Sequence, residues 1–406
     1  MTISKIKIFI PVPTGHSTTS MYLPLFIAKE KGIVNDVIMN IIDKEVEVVI
    51  ESSQTPGDFE AISAMSNCKE QGTLALAIAD PTGLQDNLQA IVVGALVSKL
   101  SFWAIANEMK DNLSRYERLV YYDEKLKTGS MIGKLLRKRL NIVAENEFRV
   151  SRIGDEMNHL DDPKKLIITP DLLSVAAKHV KGNAFRIVNF SMKDRKSEIT
   201  DDDVLIDIDD EYITTAIFAK KMDVVDKDRA KLIRAIIMSF QKAKFVLYSS
   251  KQIATETFKE MGCIKELTKS GQYSEKNISD IVEYVIERMQ IEKIYPYDTN
   301  ISKKQWEKTV KEKDLDYYKF VNNKIVYEAE KELAKELGVS YKNYVPKFIV
   351  SIIHYLKRNW RAVVIALVVM SVLILMNIFN VIGLIITDIG TICSIIGVVV
   401  YSLLKK

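Results

Sequence analysis

The chain is short of the residues that build metal centres and disulfide frameworks. Its 406 residues include three cysteines and four histidines. Cys68, Cys263 and Cys393 lie far apart and show no CxxC spacing, which argues against a disulfide scaffold and suits a reducing compartment. His16, His159, His179 and His354 have no metal-ligand spacing to another histidine, cysteine or acid, so no metal is expected. No GxSxG or catalytic-cysteine context occurs, and the TGS at 128–130 falls far short of the GxxxxGK(S/T) of a nucleotide-hydrolysing loop. The reading is of a protein that is not an enzyme and carries no cofactor.

An excess of one charge is missing too. The 57 basic and 53 acidic residues leave a net charge of +4, and they alternate instead of forming a stripe, so no nucleic-acid partner is expected. With 27% charged and 48% hydrophobic residues the chain has ordinary globular composition and length for two or three units. The opening MTISKIKIFIPVP alternates like a strand. It lacks the basic segment, long apolar run and small-residue cleavage site of a secretion signal, so export of the head is not expected.

What is present, at the other end, is an apolar run. Ala362–Leu404 spans about 43 residues with one formal charge, twice the ~20 that one helical crossing needs. It reads as a transmembrane helical hairpin turning at 380–383. Lys347, Lys357, Arg358 and Arg361 precede it and Lys405 and Lys406 follow, which puts the head and both termini on the cytoplasmic side. In the second span Gly383, Thr387, Gly390, Ser394 and Gly397 recur at steps of four and three. Such a stripe lets a helix approach closely, either the first span of the same chain or another copy, which would make a homo-oligomer. Asp388 lies beside the stripe; it either reaches back to the far interface or faces the interior of an oligomer.

The head alternates apolar β runs with helical text: KIKIFIPV, MYLPLFIAKEKGI, EVEVVIESS, GDFEAISAMSNCKEQ, LALAIADP and LQAIVVGALV over residues 1–100, and a similar series over about 105–205. This alternation predicts an α/β protein with parallel sheets. DEYITTAIFAKKM then reads as a strand returning to the first lobe, followed by long amphipathic helices. The expected organisation is 1–100 plus 212–300 as lobe one, 101–211 as lobe two, 301–361 as a charged helical linker with a juxtamembrane segment, and 362–404 as the hairpin.

MYLPLFIAKEKGIVND, GDFEAISAMSNCKEQGTLALAIADP, QAIVVGALVSKLSFWAIAN and the run from FAKKMDVVDKDRAKL to KEMG resemble, in that order, the two-lobed type II periplasmic-binding-protein fold. The order is similar to the solute-binding proteins of the NMT1/THI5-like group, which includes sulfonate, nitrate and pyrimidine-precursor binders. The resemblance covers about residues 3–298 and implies a small-molecule ligand held between the lobes, with lobe closure on binding. Two departures bear on role: there is no lipoprotein cysteine, and the cysteine-rich motif of the pyrimidine-synthase branch is absent. The function read from this is a cytoplasmic sensor of a small polar or anionic ligand, coupled to a hairpin in the lipid bilayer that would serve as a membrane effector or pore in defence or stress signalling. An importer's tethered receptor and a biosynthetic enzyme are the alternatives.

Candidate ligand residues follow from the strand ends, where open α/β sheets bind. After strand one, PVPTGHSTTSMY offers Thr14, His16, Ser17, Thr18 and Thr19, as either caps or ligand contacts. Asp58 opens a helix and Asp80 ends a strand; either cap or ligand amine would satisfy them. Lys127, Thr128, Gly129 and Ser130 at a helix start suit a carboxylate, sulfonate or phosphate. Thr169 and Asp171 stand at another helix start, and Trp103 and Tyr212 lie near the two crossovers, to pack the hinge or to stack on a planar ligand.

Overall fold

The computed structural model describes residues 3–55, 57–97, 102–106, 116–122, 137, 141, 143, 147–150, 162–169, 171–179, 184–189, 204–206, 213–292, 294–296, 299–310 and 313–337. Met1–Leu333 form one compact unit and Ala334–Lys406 a second. Of the second, the described part is the end of one helix. The expected membrane hairpin and its stripe (Gly383, Thr387, Asp388, Gly390, Ser394, Gly397) lie outside the described residues. Among the described residues no helix is long and apolar enough to cross a membrane.

The first unit begins with β1 (Lys5–Ile10), a 3-10 turn (Ser17–Tyr22), α1 (Leu23–Glu30), α2 (Ile33–Ile42), β2 (Glu47–Ser52), α3 (Asp58–Asn67), β3 (Thr73–Ala79) and β4 (Ala90–Val97). The second sheet is built from β5 (Phe102–Ile105), β6 (Arg118–Tyr122), β7 (Glu147–Val150), β8 (Lys165–Thr169), α4 (Leu172–His179), β9 (Ala184–Asn189) and β10 (Val204–Ile206). The chain then returns through β11 (Thr215–Lys220), α5 (Lys221–Val225), α6 (Lys227–Ser249), α7 (Lys251–Glu260), α8 (Gly262–Lys269) and α9 (Glu275–Glu292). Three more helices follow among the described residues: α10 (Lys303–Thr309), α11 (Tyr317–Phe320) and α12 (Asn323–Glu336).

Sheet one has the order β2-β1-β3-β11-β4 and sheet two β10-β9-β5-β8-β6-β7. β1 pairs in parallel with β2 and β3, while β11 is antiparallel to both β3 and β4. In sheet two β5 is antiparallel to β8 and β9, while β6 is parallel to β7 and β8. The reversed strands are the two that carry the chain between sheets. A strand that enters a sheet from the edge where its neighbours end must run against them. The two crossings also meet: Thr214 donates its N–H to Val97 O at 3.1 Å and its hydroxyl to the same oxygen at 3.3 Å.

Strand β3 shows why sheet one is buried on both faces. In TLALAIA, Leu74, Leu76 and Ile78 join one core with α1, α2 and α6, while Ala75, Ala77 and Ala79 join the opposite core with α3. Strands covered on both faces read as continuous apolar runs. Helix α6 is held at its start by Asp226, whose carboxylate accepts from the N–H groups of Asp228 (3.0 Å) and Arg229 (2.9 Å), as an N-cap does.

Residues 301–333 differ from the solvated linker expected of their charge. Trp306, Val310, Leu315 and Phe320 are buried in the alanine-faced core of sheet one. The Trp306 indole donates to Leu315 O at 2.7 Å. Ala95 donates to Thr299 O at 2.8 Å, and Val92 O accepts from Asn322 N at 2.8 Å, so this segment covers the outer edge of β4 and removes an open sheet edge. The few apolar side chains, and not the many charged ones, decide where the segment lies.

Candidate functional site

The polar residues at the C-terminal edges of both sheets come together through the loop after β1. His16 caps the 3-10 turn: its Nδ1 accepts the Thr18 N–H at 3.3 Å and lies 2.9 Å from the Thr18 hydroxyl. Thr19 donates its hydroxyl to His16 O at 2.6 Å and Thr14 O at 3.1 Å. The exposed Thr14 offers its carbonyl to this turn and also to the start of α8, where a Cβ on Gly262 would stand 2.7 Å from Thr14 O. Glycine lets the two backbones touch. Thr14, His16, Thr18 and Thr19 thus all take part in shaping the turn.

Ser17 faces outward from the turn and reaches the other sheet. Its hydroxyl donates to the carboxylate of Asp171, which follows β8. Asp171 is buried, and it also accepts the Ser174 hydroxyl at 2.8 Å and the Ser174 N–H at 3.3 Å. Its own N–H donates to Thr169 Oγ1 at 3.1 Å. Asp171 is therefore both the N-cap of α4 and the acceptor that joins the two sheet edges. Cys263, at the start of α8, lies beside Thr19, and burial pushes its thiol up from the ordinary range despite that hydroxyl.

A second polar group sits on the edge of sheet one. Asp58 Oδ1 accepts the Asp80 N–H at 2.9 Å, and Asp80 Oδ1 accepts the Thr82 N–H at 2.7 Å. Burial first, and the Asp58 charge second, push the Asp80 carboxyl up to about 8, so it is largely protonated at neutral pH. The buried Tyr22 phenol is driven well above its usual value by desolvation and then by these two acids. Gly83 makes the close approach possible, since a Cβ there would lie 2.6 Å from Asp58 Cβ. Asp58 and Asp80 cap and pair with each other, and the same turn carries Ser17 and Tyr22 at its two ends.

Trp103 of β5 is buried and meets Tyr284 of α9 edge-on, with ring centroids 5.9 Å apart. It stands directly across from Thr169 in the β5–β8 register. Lys127, Thr128, Gly129, Ser130 and Tyr212 lie outside the described residues. The geometry adds Tyr22, Ser174, Cys263 and Tyr284, none of which stands at a strand end in the sequence. Among the described residues no group of three or more His, Cys, Asp or Glu side chains is placed to hold a metal ion, and the described cysteines Cys68 and Cys263 are free thiols.

No protein-family profile matches the chain, and no curated protein does. Among solved structures, it is similar at 12% identity to the zinc-bound ligand-binding component of an ABC-type import system from Staphylococcus aureus, over 81% of this chain and 99% of that one, with a TM-score of 0.47. It is similar at 11% identity to the alkanesulfonate-binding protein SsuA from Xanthomonas axonopodis pv. citri bound to MOPS, over 81% and 98%, with a TM-score of 0.46. The periplasmic nitrate-binding protein NrtA from Synechocystis PCC 6803 is similar at 13% identity, over 82% and 89%, with a TM-score of 0.46.

Proposed function

We propose that the chain is a non-enzymatic solute-binding domain that takes a small polar ligand at the seam between its two sheets. The opening and closing of that seam is then relayed to a membrane-embedded C-terminal hairpin. The observation that carries this reading is the hydrogen bond from Ser17 to Asp171, which joins the edges of the two sheets. Ligands of open α/β sheets sit outside the strand ends, and here the segments that follow β1 and β8 meet through Ser17 and Asp171. A ligand hydroxyl or amine inserted at the seam replaces the Ser17 hydroxyl on Asp171, whose buried carboxylate must keep its donors. The closed form without ligand and the form closed on ligand then differ in what bridges Asp171, the differential contact that a ligand-driven hinge needs.

The hairpin and its cytoplasmic head rest on the apolar run and its basic flanks. Protease added to intact cells is expected to spare the head; digestion of the head from outside would favour a tethered receptor of an importer. For the seam itself, native mass spectrometry of the full chain in a membrane mimetic is expected to reveal a retained small molecule that Asp171→Asn releases. Ligand addition is also expected to slow hydrogen exchange in the Ser17–Tyr22 turn and in 334–337. Equal exchange in both segments with and without ligand would sink the relay.

A further inference from the structure

Trp103 and Arg288 present hydrogen-bond donors that the described residues leave without acceptors. The Trp103 side chain is 1% exposed, yet its indole Nε1 has no hydrogen-bond partner, whereas a buried indole N–H ordinarily finds one. The half-buried Arg288 of α9 lays its guanidinium over the Trp103 ring at 5.7 Å and over the Tyr284 ring at 5.3 Å. Among the described residues no acceptor takes a hydrogen bond from its N–H groups. Other arginines of the molecule are treated differently: Arg118 rests on Asp162, Arg229 on Asp223 and Arg234 on Glu328. Of the acids of α9, Glu283 and Glu287 are exposed and both held by Lys251 at 2.6 Å.

We infer that Arg288 and Trp103 form a second binding site, for an oxyanion, between α9 and β5. Arg288 supplies a charged planar fork beside two aromatic rings, and Trp103 supplies a single neutral donor from one of those rings. That set matches the several acceptor oxygens of a sulfate, phosphate, sulfonate or carboxylate, and it suits arginine over lysine because the fork is planar and pre-oriented. None of the residues that form the Ser17–Asp171 bridge belongs to it. Helix α9 packs on α4 of the second sheet and on α7 and α8 beside the first. An anion held at Arg288 and Trp103 therefore adds a tie between β5 and the helix that spans both halves.

The test is a thermal-shift titration of the full chain with sodium sulfate, inorganic phosphate and methanesulfonate at ionic strength held constant with chloride, alongside tryptophan emission. We expect a melting temperature that climbs with the logarithm of anion concentration for at least one of the three, with a saturable change in emission. Arg288→Gln should raise the apparent Kd tenfold or more, and Trp103→Phe should abolish the saturable emission change. A response that never saturates, or that Arg288→Gln leaves intact, overturns the site. Should Arg288→Gln fail to fold, Arg288→Lys decides, expected to weaken binding and overturning the site if affinity is unchanged. Ser17→Ala separates this site from the seam: Arg288-dependent anion binding that survives it supports an independent site, and anion binding lost in Ser17→Ala but kept in Arg288→Gln assigns the anion to the seam.

Discussion

Asp80 is a carboxyl that folding keeps from ionising. Its pKa rises from 3.8 to about 8, so the folded state holds a proton that the unfolded chain releases above the ordinary carboxylate range. Its contribution to stability is whole below about pH 4 and is lost as pH climbs through about 8. Asp80→Asn keeps an oxygen for the Thr82 N–H and removes the ionisation. The expected outcome is a melting temperature near that of the parent at pH 5 and above it at pH 8 to 9, read by circular dichroism; parallel pH profiles would show that Asp80 does not titrate across this range. Gly83→Ala places a Cβ 2.6 Å from Asp58 Cβ and 2.7 Å from the Phe59 nitrogen, and overpacking of that kind costs about 1–3 kcal/mol. Urea unfolding should show the loss as a lower midpoint at unchanged slope.

At the scale of elements, helix α10 is the one whose role departs most from its sequence. SKKQWEKTVKEKD is charged text with one tryptophan, yet Ser302 and Gln305 form a reciprocal cap at its start and Trp306 is fully buried. Trp306→Ala is expected to cost about 3–5 kcal/mol, measured by equilibrium denaturation, which is more than an exposed linker helix would lose. Ending the chain at residue 296 removes both Thr299 and Asn322 from β4 and should leave its outer edge open and the remainder prone to aggregate on size-exclusion chromatography. Charge composition conceals this helix because a handful of apolar side chains fixes a segment whose other side chains are free to face water. The same effect conceals Arg288: on an amphipathic helix it reads as a solvated charge, and its aromatic partner lies far away in sequence.

Across the whole molecule, the α/β alternation was legible because both-face burial writes strands as unbroken apolar runs such as TLALAIA and AIVVGALV. The strand TAIFAK was legible for the same reason. Its antiparallel direction was not, since direction depends on the edge from which the chain enters, and no residue records that. Ser17 and Asp171 stand out singly as polar residues just past strand ends, but their meeting belongs to the arrangement of two sheets whose contributing residues are 154 positions apart. Thr214→Val tests the joint at this scale: it removes the hydroxyl bond to Val97 O and keeps the N–H bond. A loss of about 0.5–1.5 kcal/mol is expected, with hydrogen exchange quickened on both sides of the crossing; a global loss without local quickening would make the bond merely structural.

The position of β11 inside sheet one also sets a timetable. Among the described strands β4 pairs with β11 alone, and β11 emerges from the ribosome about 120 residues later, roughly 6–24 s at about 5–20 residues per second. During that interval the described strands of the second sheet are already made, while β3 and β4 have nothing between them to join them. The half of the molecule that is begun first is therefore finished last, and its apolar strand edges stay exposed longest to whatever guards nascent chains.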